Sequence, residues 1–261
     1  MILLIYLICG TIVGILSSWV GAGGGAVIIP VMLFVCKYQG MSTEISIHLA
    51  VSTSLAFIMV NSLYGSYKHF KHGNLITSIL KDSLPSIIIG AILGTIISQL
   101  MPAKAIEILF ATVLLTSLVK TFHFKNSNIN KDTITPSKKS CLTFGATTGL
   151  LSSTIGIGGS CIVNPYMKHY NYPMKNCAAM AVSTSFPTAL IATITMLISS
   201  YNTLGIPQYS FGYLYLPAFL GLLVGSFFGI PIGIRIVKKC PEKISLWLFR
   251  LILIYVVIDM L

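Results

Sequence analysis

With 261 residues, 55% of them hydrophobic and 9% charged, and a mean hydropathy of +0.87, the chain is too apolar for a water-soluble domain, where about a quarter of residues are charged. The formal net charge of +11 would suggest nucleic acid in a soluble protein. Here the basic residues sit in short loops between apolar runs, so they read as topology signals of an all-α polytopic membrane protein with no nucleic-acid partner.

The first ten residues, MILLIYLICG, carry no basic leader region and no clear cleavage site, so they read as a retained segment. Apolar segments follow at about 2–20, 25–36, 45–64, 84–100 and 105–122, then at 141–155, 161–170, 176–200, 213–236 and 244–261. The polar stretch 123–140, HFKNSNINKDTITPSKKS, divides them as a cytoplasmic linker. The expected organisation is an N-terminal repeat, 1–122, and a C-terminal repeat, 141–261.

The two halves are copies. Residues 14–33, GILSSWVGAGGGAVIIPVML, and 149–168, GLLSSTIGIGGSCIVNPYMK, agree without gaps at nine of twenty positions. AVSTS occurs at 50–54 and again at 181–185. Pro102-x-Lys104 before Phe110 matches Pro241-x-Lys243 before Phe249. Five segments per half is an odd number, so the second copy should enter the bilayer inverted. If every segment ends opposite to where it began, fourteen Lys and Arg fall on one side and only Lys37 and Lys104 on the other, with Arg250 inside the last segment. By the positive-inside rule both termini then lie outside the cytoplasm. The first two segments of each half either span or form a re-entrant hairpin broken at the glycines. In the second half, length favours the hairpin: residues 141–155 make about 22 Å of helix against a hydrocarbon core of about 30 Å.

Paired, glycine-broken short segments are the sequence pointer to a midplane substrate site in inverted-repeat transporters. The candidate binding residues are therefore Gly21, Gly23, Gly24 and Gly25 in the first turn and Gly156, Gly158, Gly159 and Ser160 in the second. Hydroxyls accompany them: Ser17 and Ser18, Ser152 and Ser153, then Ser52, Thr53 and Ser54, and Ser183, Thr184 and Ser185, with Asn164 before Pro165. A helix that starts after such a turn aims free N–H groups and its positive dipole end at the gap, which suits an anion. The same small residues also serve close helix packing, and a Ser or Thr often bonds only its own helix.

Elsewhere, His48 reads as an interfacial residue, Pro187 as a kink in the eighth segment, and Glu107 as an acid placed favourably at a helix start. Arg250 either snorkels outward or faces a cavity. The six cysteines show no CxxC spacing and read as small packing residues, with no metal site or cofactor expected.

The stretches GILSSWVG, GAGGGAVIIP, GIGGSCIVNP and the repeated AVSTS, together with length and duplication, resemble the TauE/SafE sulfite-exporter family over nearly the whole chain. One departure is Ser160-Cys161, where the first copy has Gly25-Ala26. The resemblance implies a bacterial cytoplasmic-membrane permease for sulfur-containing or organic anions such as sulfite or sulfoacetate. The expectation is a secondary transporter of a small oxyanion, probing alternating access between the two turns and exporting its cargo. No enzyme activity is expected. A membrane scaffold, or an intramembrane hydrolase using Ser160 or Cys161, stand as alternatives, and the sequence leaves self-association open.

Overall fold

The computed structural model describes residues 2–20, 24–122, 133–200 and 207–241, together with 244, 247, 248, 250, 251 and 254. Gly21, Gly23 and most of the tenth expected segment lie outside the described residues. Nine helices follow in order among them: α1 (Ile2–Val20), α2 (Gly25–Tyr38), α3 (Thr43–Lys71), α4 (Thr77–Leu100), α5 (Ala103–Phe122), α6 (Lys138–Ile155), α7 (Ser160–His169), α8 (Met174–Ser199) and α9 (Leu216–Lys239). Four of them, α3, α4, α8 and α9, contain stretches long and apolar enough to cross a membrane. Ile89, Ile92, Leu93, Ile96 and Ile97 on α4, and Leu220, Val224, Phe227 and Phe228 on α9, lie exposed, as lipid-facing surfaces require. The protein is an all-helical, multi-pass membrane protein.

Two differences from the sequence expectation have plain causes. The fourth helix starts at Thr77 and runs through Pro85 rather than beginning at 84, because Pro is tolerated within an otherwise apolar membrane helix. Residues 213–215 do not open the ninth helix. They belong to a two-stranded hairpin, β1 (Ser210–Phe211) and β2 (Leu214–Tyr215), with Ser210 opposite Tyr215. Gly212 alone in that turn has a positive φ, 55°, the pattern of a type II′ turn with glycine first. The eighth helix continues through Pro187 from Met174 to Ser199.

Helix partners come from opposite halves. α1 packs along α9, α4 along α6, and α3 along α8. Small residues set the first two contacts: a Cβ on Gly14 would stand 2.8 Å from Ser226 Cα, and one on Gly149 would stand 2.9 Å from Ala91 N. Without a hydrophobic force between helices in lipid, such backbone proximity supplies the packing energy.

The helix ends sort onto two faces. Ser140 at the start of α6 hydrogen-bonds Tyr166 and Tyr170 near the end of α7, both at 2.9 Å, and Phe144 stacks on Tyr166 at 3.9 Å. α6 and α7 are thus a hairpin that returns to the face it left. At 1.5 Å per residue α7 is about 15 Å long, half of a hydrocarbon core. Asn176 donates to the Asn74 carbonyl (2.8 Å), so the α3–α4 connection shares this face, called here the linker face. The β-hairpin, the start of α3 and the α4–α5 connection meet on the opposite face, where Glu44, His48, Pro102 and Tyr213 line one small cavity.

Candidate functional site: two glycine turns and a cavity along a half helix

The two glycine turns touch. A Cβ on Gly25, the first residue of α2, would overlap the Gly156 carbonyl oxygen and stand 2.6 Å from Ile157 Cα. The start of α2 therefore presses on the turn that precedes α7. That turn is built by left-handed backbone at Gly156 (φ 69°) and Gly158 (φ 78°), a conformation that costs a residue with a Cβ about 1–2 kcal/mol. Gly156 also closes α6, its N–H bonding the Ser152 carbonyl at 3.0 Å.

Hydroxyls from both halves converge on this second turn. Ser54 Oγ, on α3, donates to the Gly156 carbonyl at 2.8 Å. Ser185 Oγ, on α8, accepts from Gly159 N–H at 2.8 Å. Ser152 Oγ donates to the Gly158 carbonyl at 3.1 Å. Ser160 opens α7 fully buried, with its hydroxyl 3.9 Å from Cys161 Sγ. Asn164 is buried one turn further along.

The remaining expected residues go elsewhere. Ser18 bonds the Gly14 and Ile230 carbonyls (2.5 and 3.2 Å), and Ser153 bonds the Leu150 carbonyl (3.1 Å), both within the close helix contacts. Ser17 accepts from Asn61 Nδ2 at 3.0 Å. Thr184 bonds its own helix at Met180, and Ser183 pairs with Ser66 at 2.8 Å. Thr53 Oγ1 accepts from the Tyr215 N–H of the β-hairpin at 3.1 Å. Ser52 is fully buried, and its hydroxyl has no hydrogen-bond partner. Gly24 caps α2 among apolar groups, Val13 and Phe57.

A cavity of about 1070 Å³ opens beside α7. Its walls come from α5 (Val113, Ser117, Lys120), α6 (Thr143, Thr147, Leu151) and α7, from Cys161 to His169. It follows the half helix from the linker face to the residue after Ser160. None of the seventeen expected binding residues that lie among the described ones lines it. Lys120, Lys168 and His169 stand toward its linker end, and Thr116, Ser117, Thr143 and Thr147 supply neutral hydroxyls. Sequence reading missed this wall because it joins α5 of one half to the hairpin of the other.

Thr148 was also missed. Its hydroxyl is fully buried without a hydrogen-bond partner among the described residues, and its Cγ2 lies 3.4 Å from where a Gly159 Cβ would stand. A signal for it exists: the aligned residue in the first copy is Val13, so one copy gains a polar group in an apolar run.

The sequence profile of the family described as "Sulfite exporter TauE/SafE" matches residues 6–260. The chain belongs to this family. It is 26% identical over 259 residues to a probable membrane transporter protein of Haemophilus influenzae, covering 99% of this chain and 97% of that one. A probable membrane transporter protein of Methanocaldococcus jannaschii is 27% identical over 247 residues, covering 93% and 89%. One from Bacillus subtilis is 25% identical over 238 residues, 89% of each. This TauE/SafE member is accordingly a membrane transporter by family, and its helices carry the surfaces such a protein needs.

Proposed function

We propose that this TauE/SafE protein is a secondary transporter that exports a small sulfur-containing or organic anion, sulfite-like in size and charge, through a gap at the second glycine turn. The observation that carries the reading is the cavity that follows α7 as far as Cys161, next to its buried first residue Ser160. A helix N-terminus holds roughly half a positive charge, and this one, about 15 Å along α7 from the linker face, lies next to the start of α2. Thr148, whose methyl faces Gly159 and whose buried hydroxyl has no hydrogen-bond partner among the described residues, adds a neutral donor in the same region. Neutral donors and helix ends hold an anion without a buried lysine, so the ion can also leave.

Export suits the energetics. A membrane potential of about 100 mV, negative inside, drives each negative charge outward with about 2.3 kcal/mol. The halves, read as inverted repeats, would rock against each other along α3 and α8. Both termini then lie outside the cytoplasm of a bacterial inner membrane, and the linker face is cytoplasmic. For the hydrolase alternative, the described histidine nearest Cys161 in sequence, His169, stands eight residues along α7, about 12 Å away.

Binding tests the reading directly. Purified protein in detergent is melted with sulfite, sulfate, thiosulfate or sulfoacetate at fixed ionic strength, against chloride. At 100 times Kd a ligand stabilises by about 2.7 kcal/mol. The expected result is a raised Tm for one of these anions in the parent and a smaller rise in Thr148→Val. Equal melting in every anion contradicts the proposal.

A further inference from the structure

We infer that the β-hairpin Ser210–Tyr215 is a lid that closes the face opposite the cavity, covering the hydroxyl stretch of α3 until the transporter turns outward. The inference rests on the transport reading, and it assigns that reading a specific gate.

Four observations meet in this hairpin. The connection in the first half that corresponds to it, residues 72–76 between α3 and α4, is five residues long. In the second half the connection runs from 200 to 215, so the hairpin is an addition to one copy only. Its strand β2 reaches inward: Tyr215 N–H donates to Thr53 Oγ1 at 3.1 Å, at the centre of the first hydroxyl triplet, and the Tyr215 ring meets Tyr6 of α1 edge-on at 6.4 Å. Its turn residue Tyr213 stacks on His48 of α3, with ring centroids 5.3 Å apart and planes 28° apart. Its base is pinned to the end of α8, where Ser200 Oγ accepts from Tyr213 N–H at 3.1 Å.

These contacts divide into an anchor and a latch. The anchor is covalent and local: Ser200 on one side, and Leu216, the first residue of α9, on the other. The latch is long-range, one ring stack and one hydrogen bond to α3. A single neutral hydrogen bond and a stacked ring pair are individually modest, so they can part and re-form as a lid must. Beneath Tyr213, the cavity of about 390 Å³ lined by Glu44, His48, Leu100, Pro102 and Ala103 leaves room on that face for the tyrosine ring to swing. On the linker face the larger cavity is open along α7. The larger cavity thus lies on the linker face while the hairpin sits over Thr53 on the opposite one, an asymmetry of the kind alternating access uses. Thr53, whose oxygen now accepts from the lid, is released for other partners when the latch parts.

Thiol labelling tests the lid without any flux. Thr53→Cys is reconstituted in liposomes and exposed to a membrane-impermeant methanethiosulfonate from the hairpin side. Modification is read by mass spectrometry of the peptide that contains residue 53. The expected rate is at least about tenfold higher with Tyr213→Ala than with Tyr213 intact, because weakening the latch raises the open population. His48→Ala is expected to do the same from the other side of the stack, and Tyr213→Phe, which keeps the ring, to label as slowly as the parent. Equal labelling in all four backgrounds, from monodisperse protein, overturns the lid. If Tyr213→Ala does not fold, the His48→Ala and Tyr213→Phe pair decides alone. A transporter that moves no anion would sink the transport reading and leave this labelling result standing.

Discussion

Gly24 and Gly159 hold the same place in the two copies, yet different neighbours crowd them. A Cβ at Gly24 would meet Phe57 and Val13, each at 2.8 Å; one at Gly159 would meet Thr184 Oγ1 at 2.9 Å, Val163 Cγ2 at 3.1 Å and Thr148 Cγ2 at 3.4 Å. The aligned residues Val13 and Thr148, and Phe57 and Thr188, trade an apolar group for a hydroxyl. The hydroxyl triplets follow the same bias. Ser54 from the first half and Ser185 from the second both bond the second turn. The polar bonds of both halves thus gather on the second turn, while the first turn's Gly24 is packed by apolar side chains.

Substitutions can break this comparison, beginning with the largest effect. Gly25→Ala puts a methyl into the Gly156 backbone, which cannot shift as a side-chain tip could. The expected cost is about 1–3 kcal/mol or more, read as a drop in Tm in detergent. Gly24→Ala faces side chains only and should cost less; equal losses would mean the turns do not meet as described. Ser185→Ala leaves the buried Gly159 N–H without its acceptor, a loss of about 1–3 kcal/mol, whereas Ser153→Ala removes a hydroxyl that bonds only its own helix and should cost under about 1 kcal/mol. A Ser153 variant as damaging as the Ser185 one would contradict the assignment of the second turn's acceptor. Gly156→Ala forces a Cβ into a left-handed position, about 1–2 kcal/mol, checked by the same melts. The smallest stability change belongs to Thr148→Val, which keeps the volume and deletes a hydroxyl with no partner. Its Tm should hold within the spread of the parent, and the mirror change Val13→Thr should leave anion binding untouched.

Much of this was legible in the sequence, for reasons that residues make clear. The paired turns and the two AVSTS stretches are local patterns, and the short second-half segments pointed to the α6–α7 hairpin that Ser140 and Tyr170 now close. The convergence of Ser54 on Gly156 was anticipated only as a general meeting of the two stretches. The cavity was not legible, because Ser117 and Val113 on α5 meet Cys161 on α7 only through the packing of one half on the other. The β-hairpin was overlooked although Phe211-Gly212-Tyr213-Leu214 carries a turn glycine between aromatic and apolar residues; its apolar character merged it with the following helix. Ser18 and Ser153 bond carbonyls of their own helices within close helix contacts, the packing role the sequence also allowed for small polar residues.

The most direct measurement is potential-driven anion flux. Purified protein in liposomes is loaded with sulfite, a potential of about 100 mV negative inside is imposed, and efflux is followed for the parent, Thr148→Val and Val13→Thr. The account predicts efflux that rises with the potential, falls at least about tenfold in Thr148→Val, an increment of about 1.4 kcal/mol, and persists in Val13→Thr. Efflux that is lost in Val13→Thr and retained in Thr148→Val, from folded protein, would contradict the claim that the second turn holds the anion.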